Sequence, residues 1–167
     1  MQLKRNSRAS RRKGERGNVL AYTVLSALFL FLAVGLGVDL SHLYLAKTEL
    51  QNAADAAALA GASALTLPDP EKITKAIDRA VDTMNLNKYN FNNRTFAGVM
   101  DTNTQRGLVT FAINLDGPYM AAGPAAQAGT VENIRFIKVI TPTVPVKMIF
   151  SVPFLGANQN LSAKAVS

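Results

Sequence analysis

The single histidine of this 167-residue chain, His42, follows Asp39 by three positions. On a helix that spacing puts both side chains on one face, the arrangement of a carboxylate–imidazole acid–base pair. Such a pair does chemistry only beside a nucleophile or a bound substrate. No serine arrangement supplies that partner, and the chain has no cysteine. The two groups therefore read as a solvated pair at the edge of an apolar run. Lack of cysteine also excludes disulfide scaffolds, thiolate-bound zinc, iron–sulfur clusters and cysteine nucleophiles. There is no phosphate-binding glycine loop, dinucleotide fingerprint or His-x-x-x-His pair. Asp55 stands among alanines, either as a surface acid or as a polar group that fixes register in a packed helix. The chemistry-bearing residues thus predict no catalytic, cofactor or metal site.

The elements that carry these residues explain more. Residues 1–17 hold seven basic side chains and one acid, while the other 150 residues hold eleven bases and ten acids. Of the formal charge of +7, a short tail thus carries +6. A nucleic-acid-binding face needs bases spread over a folded surface, so no nucleic-acid partner is expected. The tail is followed by twenty uncharged residues, Val19 to Val38. Helical rise makes that run about 30 Å long, the thickness of a hydrocarbon core. Val19, Leu20, Leu28, Phe29, Leu30, Phe31, Leu32 and Val38 are its anchor residues. The side richer in Lys and Arg stays in the cytoplasm, which puts residues 1–17 inside and residues 39–167 outside. A cleaved secretory signal also begins with a basic region, but its apolar core is shorter, about 7–15 residues.

No proline interrupts residues 1–67. The alanines and leucines after the run favour helix, so one helix is predicted from about Asn18 to Thr66. Ala54, Ala58 and Ala62 form a small-residue ridge at spacing four, which lets another backbone approach closely. That ridge can serve packing on the chain's own body or between subunits. Gln51, Asn52 and Asp55 lie on the polar side. Asp69 as N-cap and Pro70 at the first position start a second helix, about 70–86. Its apolar face is Ile73, Ala76, Ile77, Ala80, Val81 and Met84. Strand patterns then occupy Thr95–Met100, Leu108–Leu115, Ile134–Thr141, Val144–Val152 and Leu161–Val166, with a loop at Gly117–Gly129. Pro145 points to an edge or a strand start. The expected fold is α+β: a long helix, a short helix and a small antiparallel sheet. The expected division is a basic tail (1–17), an anchor with its Ala-rich extension (18–66) and an α+β body (67–167).

The junction of anchor and Ala-rich helix is the most distinctive stretch. Arg16-Gly17-Asn18-Val19, Gly37-Val38-Asp39, Leu45-Ala46-Lys47 and the run Leu50-Gln51-Asn52-Ala53-Ala54-Asp55 through Ala58, Gly61 and Ala62 resemble the N-terminal region of TadE/TadG-like proteins of Flp (Tad) pilus assembly. The resemblance covers residues 15–65. It implies a bacterial inner-membrane protein with a periplasmic C-terminal part, working with other Tad assembly proteins or pilin helices on a type IV-like pilus used in adhesion. Two departures are visible. A pilin cut after Gly17 would carry glutamate at its fifth residue, where this chain has Tyr22. Longer TadG-type proteins carry an Asp-x-Ser-x-Ser metal motif, whereas Asp39-Leu40-Ser41-His42-Leu43 lacks the second serine. The sequons at Asn93 and Asn160 carry no meaning in a bacterial chain.

The expectation is a non-enzymatic, single-pass envelope protein that takes an accessory or minor part in pilus assembly. The alternatives are a secreted adhesin or matrix protein freed by signal cleavage, and a tethered enzyme with its site in residues 87–167.

Overall fold

The computed structural model describes residues 15–67, 71–89, 94–96 and 108–167. Helix α1 runs unbroken over Glu15–Leu65, about 75 Å at helical rise. The two halves of α1 have different surroundings. From Asn18 to Ser41 every residue is exposed except Gly35 and Asp39. From Ala46 onward one face is closed over: Ala46, Leu50, Ala53, Ala54, Ala57, Ala58, Gly61 and Ala64 are buried. Their spacings of three and four draw a single stripe along the helix. The ridge alanines Ala54 and Ala58 thus pack on the chain's own body, and half-buried Ala62 packs against the same core. The intramolecular alternative holds for this ridge.

Helix α2 spans Lys72–Leu86 and buries the six predicted apolar residues against α1. Its cap is Glu71, with no side-chain cap bond; the predicted cap Asp69 and Pro70 lie outside the described residues. Arg79 ties the two helices by donating to Ser63 Oγ at 2.8 Å. Gly61 sets how closely they approach. A Cβ there would stand 2.5 Å from Ile137 Cδ1, 3.0 Å from the Ala76 carbonyl oxygen and 3.3 Å from Ala80 Cβ.

Among the described residues the strands form three small antiparallel sheets. Strands β1 (Lys88–Tyr89) and β2 (Arg94–Thr95) pair first. Strand β3 (Val109–Ala112) pairs with β4 (Phe136–Ile140), and β4 with β7 (Lys164–Val166). Strand β5 (Val144–Lys147) pairs with β6 (Asn158–Leu161). The β3-β4-β7 sheet packs Val109, Phe111, Ile137, Val139 and Ala165 toward the buried stripe of α1 and the apolar face of α2. Tyr89 and Phe96 close one side, with ring centroids 4.9 Å apart.

Several strand boundaries differ from the alternation pattern, each for a local reason. The predicted Leu161–Val166 strand is split at Ser162-Ala163, where the chain passes from β6 to β7 in another sheet. That crossing is bound to the β4–β5 link: Thr141 N–H donates to the Ala163 carbonyl at 2.8 Å, and Ala163 N–H donates to Thr141 Oγ1 at 2.8 Å. Pro142, in the same link, has no N–H to continue a ladder. The predicted Val144–Val152 strand stops at Lys147. After it the chain turns into a short helix α4, Val152–Leu155, with Pro153 in its first turn. Of the predicted Thr95–Met100 strand, Thr95 is strand and Phe96 is not, and residues 97–100 lie outside those described. Leu108–Leu115 and Ile134–Thr141 are trimmed at both ends. Within the predicted loop Gly117–Gly129, Met120 bridges to Phe111 through two backbone bonds of 2.7 and 2.9 Å. A single turn of helix, α3 (Ala122–Ala125), follows it.

Candidate functional site: a clasp at the end of the apolar run

Asp39 is the first charged residue after the apolar run, and it is 1 % exposed. A buried carboxylate needs several donors around it. The turn leading into α4 supplies four of them. Ile149 N–H donates to Oδ1 at 3.1 Å. Phe150 N–H and Ser151 N–H donate to Oδ2 at 2.9 and 2.6 Å. Ser151 Oγ donates to the same oxygen at 2.7 Å. Ser151 is the N-cap of α4, yet its side chain caps no N–H of that helix; it faces Asp39 instead.

One turn earlier, Gly35 permits the contact. A Cβ at Gly35 would sit 2.6 Å from Phe150 Cβ and 2.8 Å from Phe150 Cγ. By contrast, a Cβ at Gly37 would meet nothing within 4 Å. So Gly35 and Asp39, four apart on one helical face, receive the side chain and the backbone of the same loop. The solvated state expected for Asp39 is therefore corrected: the carboxylate is buried and accepts from the loop, whose three N–H groups have no strand partner. Burial pushes the Asp39 carboxyl up, but the Ser151 hydroxyl and the Ser151, Ile149 and Phe150 amides outweigh it and hold the group at about 2, below its ordinary 3.8.

A lowered carboxylate contributes stability above its unfolded value, and that contribution fades as pH falls through the folded value. The clasp's contribution is thus complete from about pH 5 to about pH 8 and is lost only as pH falls through about 2. Protection factors of the Ile149–Ser151 amides in hydrogen exchange are expected to stay level across the first interval.

Further along α1 the polar side is stitched to the C-terminal strands. Lys47 Nζ donates to the Ser162 carbonyl. Gln51 Nε2 donates to the Lys164 carbonyl at 3.0 Å and to Asp55 Oδ1 at 3.0 Å. Asp55 is an exposed acid that steadies Gln51. Gln51→Ala is expected to cost about 1 kcal/mol, the net worth of one such bond, read from thermal unfolding in detergent.

The residues singled out in sequence fall into three places. Val19, Leu20, Leu28, Phe29, Leu30, Phe31, Leu32 and Val38 lie on the open surface of α1. Leu50, Ala54, Ala58 and Gly61 lie in the body's core, with Ala62 at its margin. Gln51 is half-buried, and Asn52 and Asp55 are exposed. Gly17 is within α1. Sequence reasoning missed Phe150 and Ser151. One signal was available: Met148–Ala157 is ten residues without charge, interrupting a strand pattern and carrying two phenylalanines.

Among the described residues, one helix is long and apolar enough to cross a membrane. No curated protein and no solved structure matches the chain significantly. The family model described as Tad, putative Flp pilus-assembly TadE/G-like, matches residues 17–64. The matched stretch is almost the whole of α1, from the apolar run through Asp39 to the end of the buried stripe. Residues 17–64 of the chain are thus similar to the TadE/G-like proteins of putative Flp pilus assembly.

Proposed function

We propose that this protein is a non-enzymatic, single-pass inner-membrane protein that acts as an accessory or minor component of Flp (Tad) type IV-like pilus assembly. Residues 1–17 stay in the cytoplasm, Val19–Val38 anchors the chain, and the body stands in the periplasm. The observation that carries this reading is the position of the family match, which covers both the exposed apolar half of α1 and its buried half. One rigid helix thereby belongs to the anchor and to the core of the body. A contact made by the body is transmitted to the anchor without an intervening linker.

The face through which partners are met is not the alanine ridge, which is used internally. Leu40, Tyr44 and Leu59 remain exposed on α1 beyond the anchor, Tyr44 at 77 %. Exposed aromatic and aliphatic side chains of this kind are favoured at interfaces. They are the surface on which pilin or other Tad helices would pack. A photo-crosslinking residue at Tyr44 in the native host is expected to capture another Tad component. A crosslinker at Gln127, exposed on the body, should capture none. Loss of surface pili on deletion, restored by the full chain, completes the test. Wild-type piliation without the protein would contradict the proposal. N-terminal sequencing separates the secreted-adhesin alternative, which requires a mature chain that begins beyond the anchor.

A further inference from the structure

The clasped loop exposes a continuous apolar patch: Ile149 at 63 %, Phe150 at 52 %, with Val152 and Leu155 beside them. No charged side chain lies between Lys147 and Asn158. A contiguous apolar patch of this sort marks a surface that is covered in use. Its place in the fold identifies what covers it. Phe150 packs over Gly35, which lies four residues before Asp39 and so about 6 Å further into the apolar run. A groove between the loop and α1 is lined by Phe29, Leu32, Leu36, Phe150 and Leu155. The loop therefore lies alongside the apolar run, and its patch is continuous with the surface of α1 that faces lipid.

We propose that Ile149–Leu155 is a second membrane-contacting element, seated among the acyl chains of the leaflet on the body's side. The inference rests on the anchor reading of Val19–Val38. Non-helical backbone at membrane depth needs its polar groups paired and the backbone itself covered by protein, here α1, with only side chains turned to lipid. Six N–H groups of this loop are paired inside the protein. The N–H groups of Ile149, Phe150 and Ser151 are taken by Asp39. Those of Met148, Leu155 and Gly156 go to the carbonyls of Ala157, Ser151 and Val152 at 2.9, 2.8 and 3.0 Å. Pro153 has no N–H to satisfy. Asp39 thus has a purpose that a surface turn would not need: it removes three donors from the requirement for water. Anchor and wedge together fix the tilt of the body against the bilayer, which a single span alone leaves to rotation and tilting.

The absence of cysteine makes the test direct. Single-cysteine variants of the full chain at Ile149, Val152, Leu30 and Asp55 carry an environment-sensitive fluorophore in phosphatidylethanolamine–phosphatidylglycerol vesicles. Leu30 reports the anchor. Asp55, about 25 Å beyond Val38 along the helix, reports water. The labels at Ile149 and Val152 are expected to be blue-shifted, quenched by nitroxides on the lipid acyl chains and shielded from iodide, as at Leu30. If Leu30 is lipid-quenched while Ile149 and Val152 respond to iodide like Asp55, the loop proposal is wrong and the anchor stands. Labels at 149 and 152 that answer to neither quencher place a second copy of the chain on the patch and also overturn it. If Leu30 itself is not lipid-quenched, the anchor reading fails and the loop proposal with it.

Discussion

Gly61→Leu is expected to destabilise the body by about 3 kcal/mol, at the upper end of what overpacking a close-packed core costs. Even a Cβ at this position would overlap Ile137 Cδ1 at 2.5 Å and press on the Ala76 carbonyl oxygen at 3.0 Å. Ile137 could move its terminal methyl, but the Ala76 oxygen belongs to the backbone of α2 and moves only with that helix. A full leucine therefore drives α1 and α2 apart and strains β4 behind them. The gain of helix propensity on replacing an internal glycine, about 1 kcal/mol, does not offset this. Gly37→Leu is the control, because space around Gly37 is open. Chemical unfolding in detergent should show a large loss for the first variant and almost none for the second. Equal losses would show that Gly61 does not set the contact between the helices.

Asp39→Ala is the second large effect, and it separates the loop from α1 without disturbing the core. The variant orphans three backbone N–H groups and the Ser151 hydroxyl at a buried position, and an orphaned buried donor costs more than a bond between exposed groups. Exchange at the amides of Ile149, Phe150 and Ser151 is expected to rise at least about tenfold, as local opening no longer breaks four charge-assisted bonds. Amides of β3 and β4 should be unaffected, because Phe111, Ile137 and Val139 pack without help from the loop. Asp39→Asn keeps one acceptor oxygen and should lie between the two. Ser151→Ala removes one donor and should be milder, and its effect should vanish in the Asp39→Ala background. Additive effects would mean that Ser151 acts through some other contact.

Helical features were legible in the sequence because they depend on local spacing. The proline-free stretch and the alanines fixed α1 within a few residues of both ends. The six apolar positions of α2 were read correctly from their period, since a surface helix buries whatever face its pattern makes apolar. The strands were legible only as short apolar stretches. Whether Leu161 and Ala165 share a strand depends on Thr141 bonding to Ala163, a contact between residues 22 apart. No local pattern encodes such a pairing. The clasp was hidden for the same reason, as Asp39 and Ser151 are 112 residues apart. Spacing placed His42 beside Asp39 but could not reveal the loop donors, because it considers only one helix at a time. The alanine ridge was recognised as a close-packing surface, but its partner is supplied by residues 72–86 and the sheet, which a local reading cannot choose over another chain.

These elements make one assembly out of the anchor and the body. The apolar run ends at Asp39, the body is fastened there, and the same helix goes on to form the core. Topology labelling tests this account most directly, because single cysteines have no background in this chain. Glu132, exposed on the body, and Ser7, in the basic tail, are each replaced by cysteine in the full chain. Spheroplasts are treated with a membrane-impermeant maleimide before and after lysis. The account predicts that Glu132→Cys is labelled in intact spheroplasts and Ser7→Cys only after lysis. Labelling of Ser7→Cys from outside, or protection of Glu132→Cys until lysis, would contradict it.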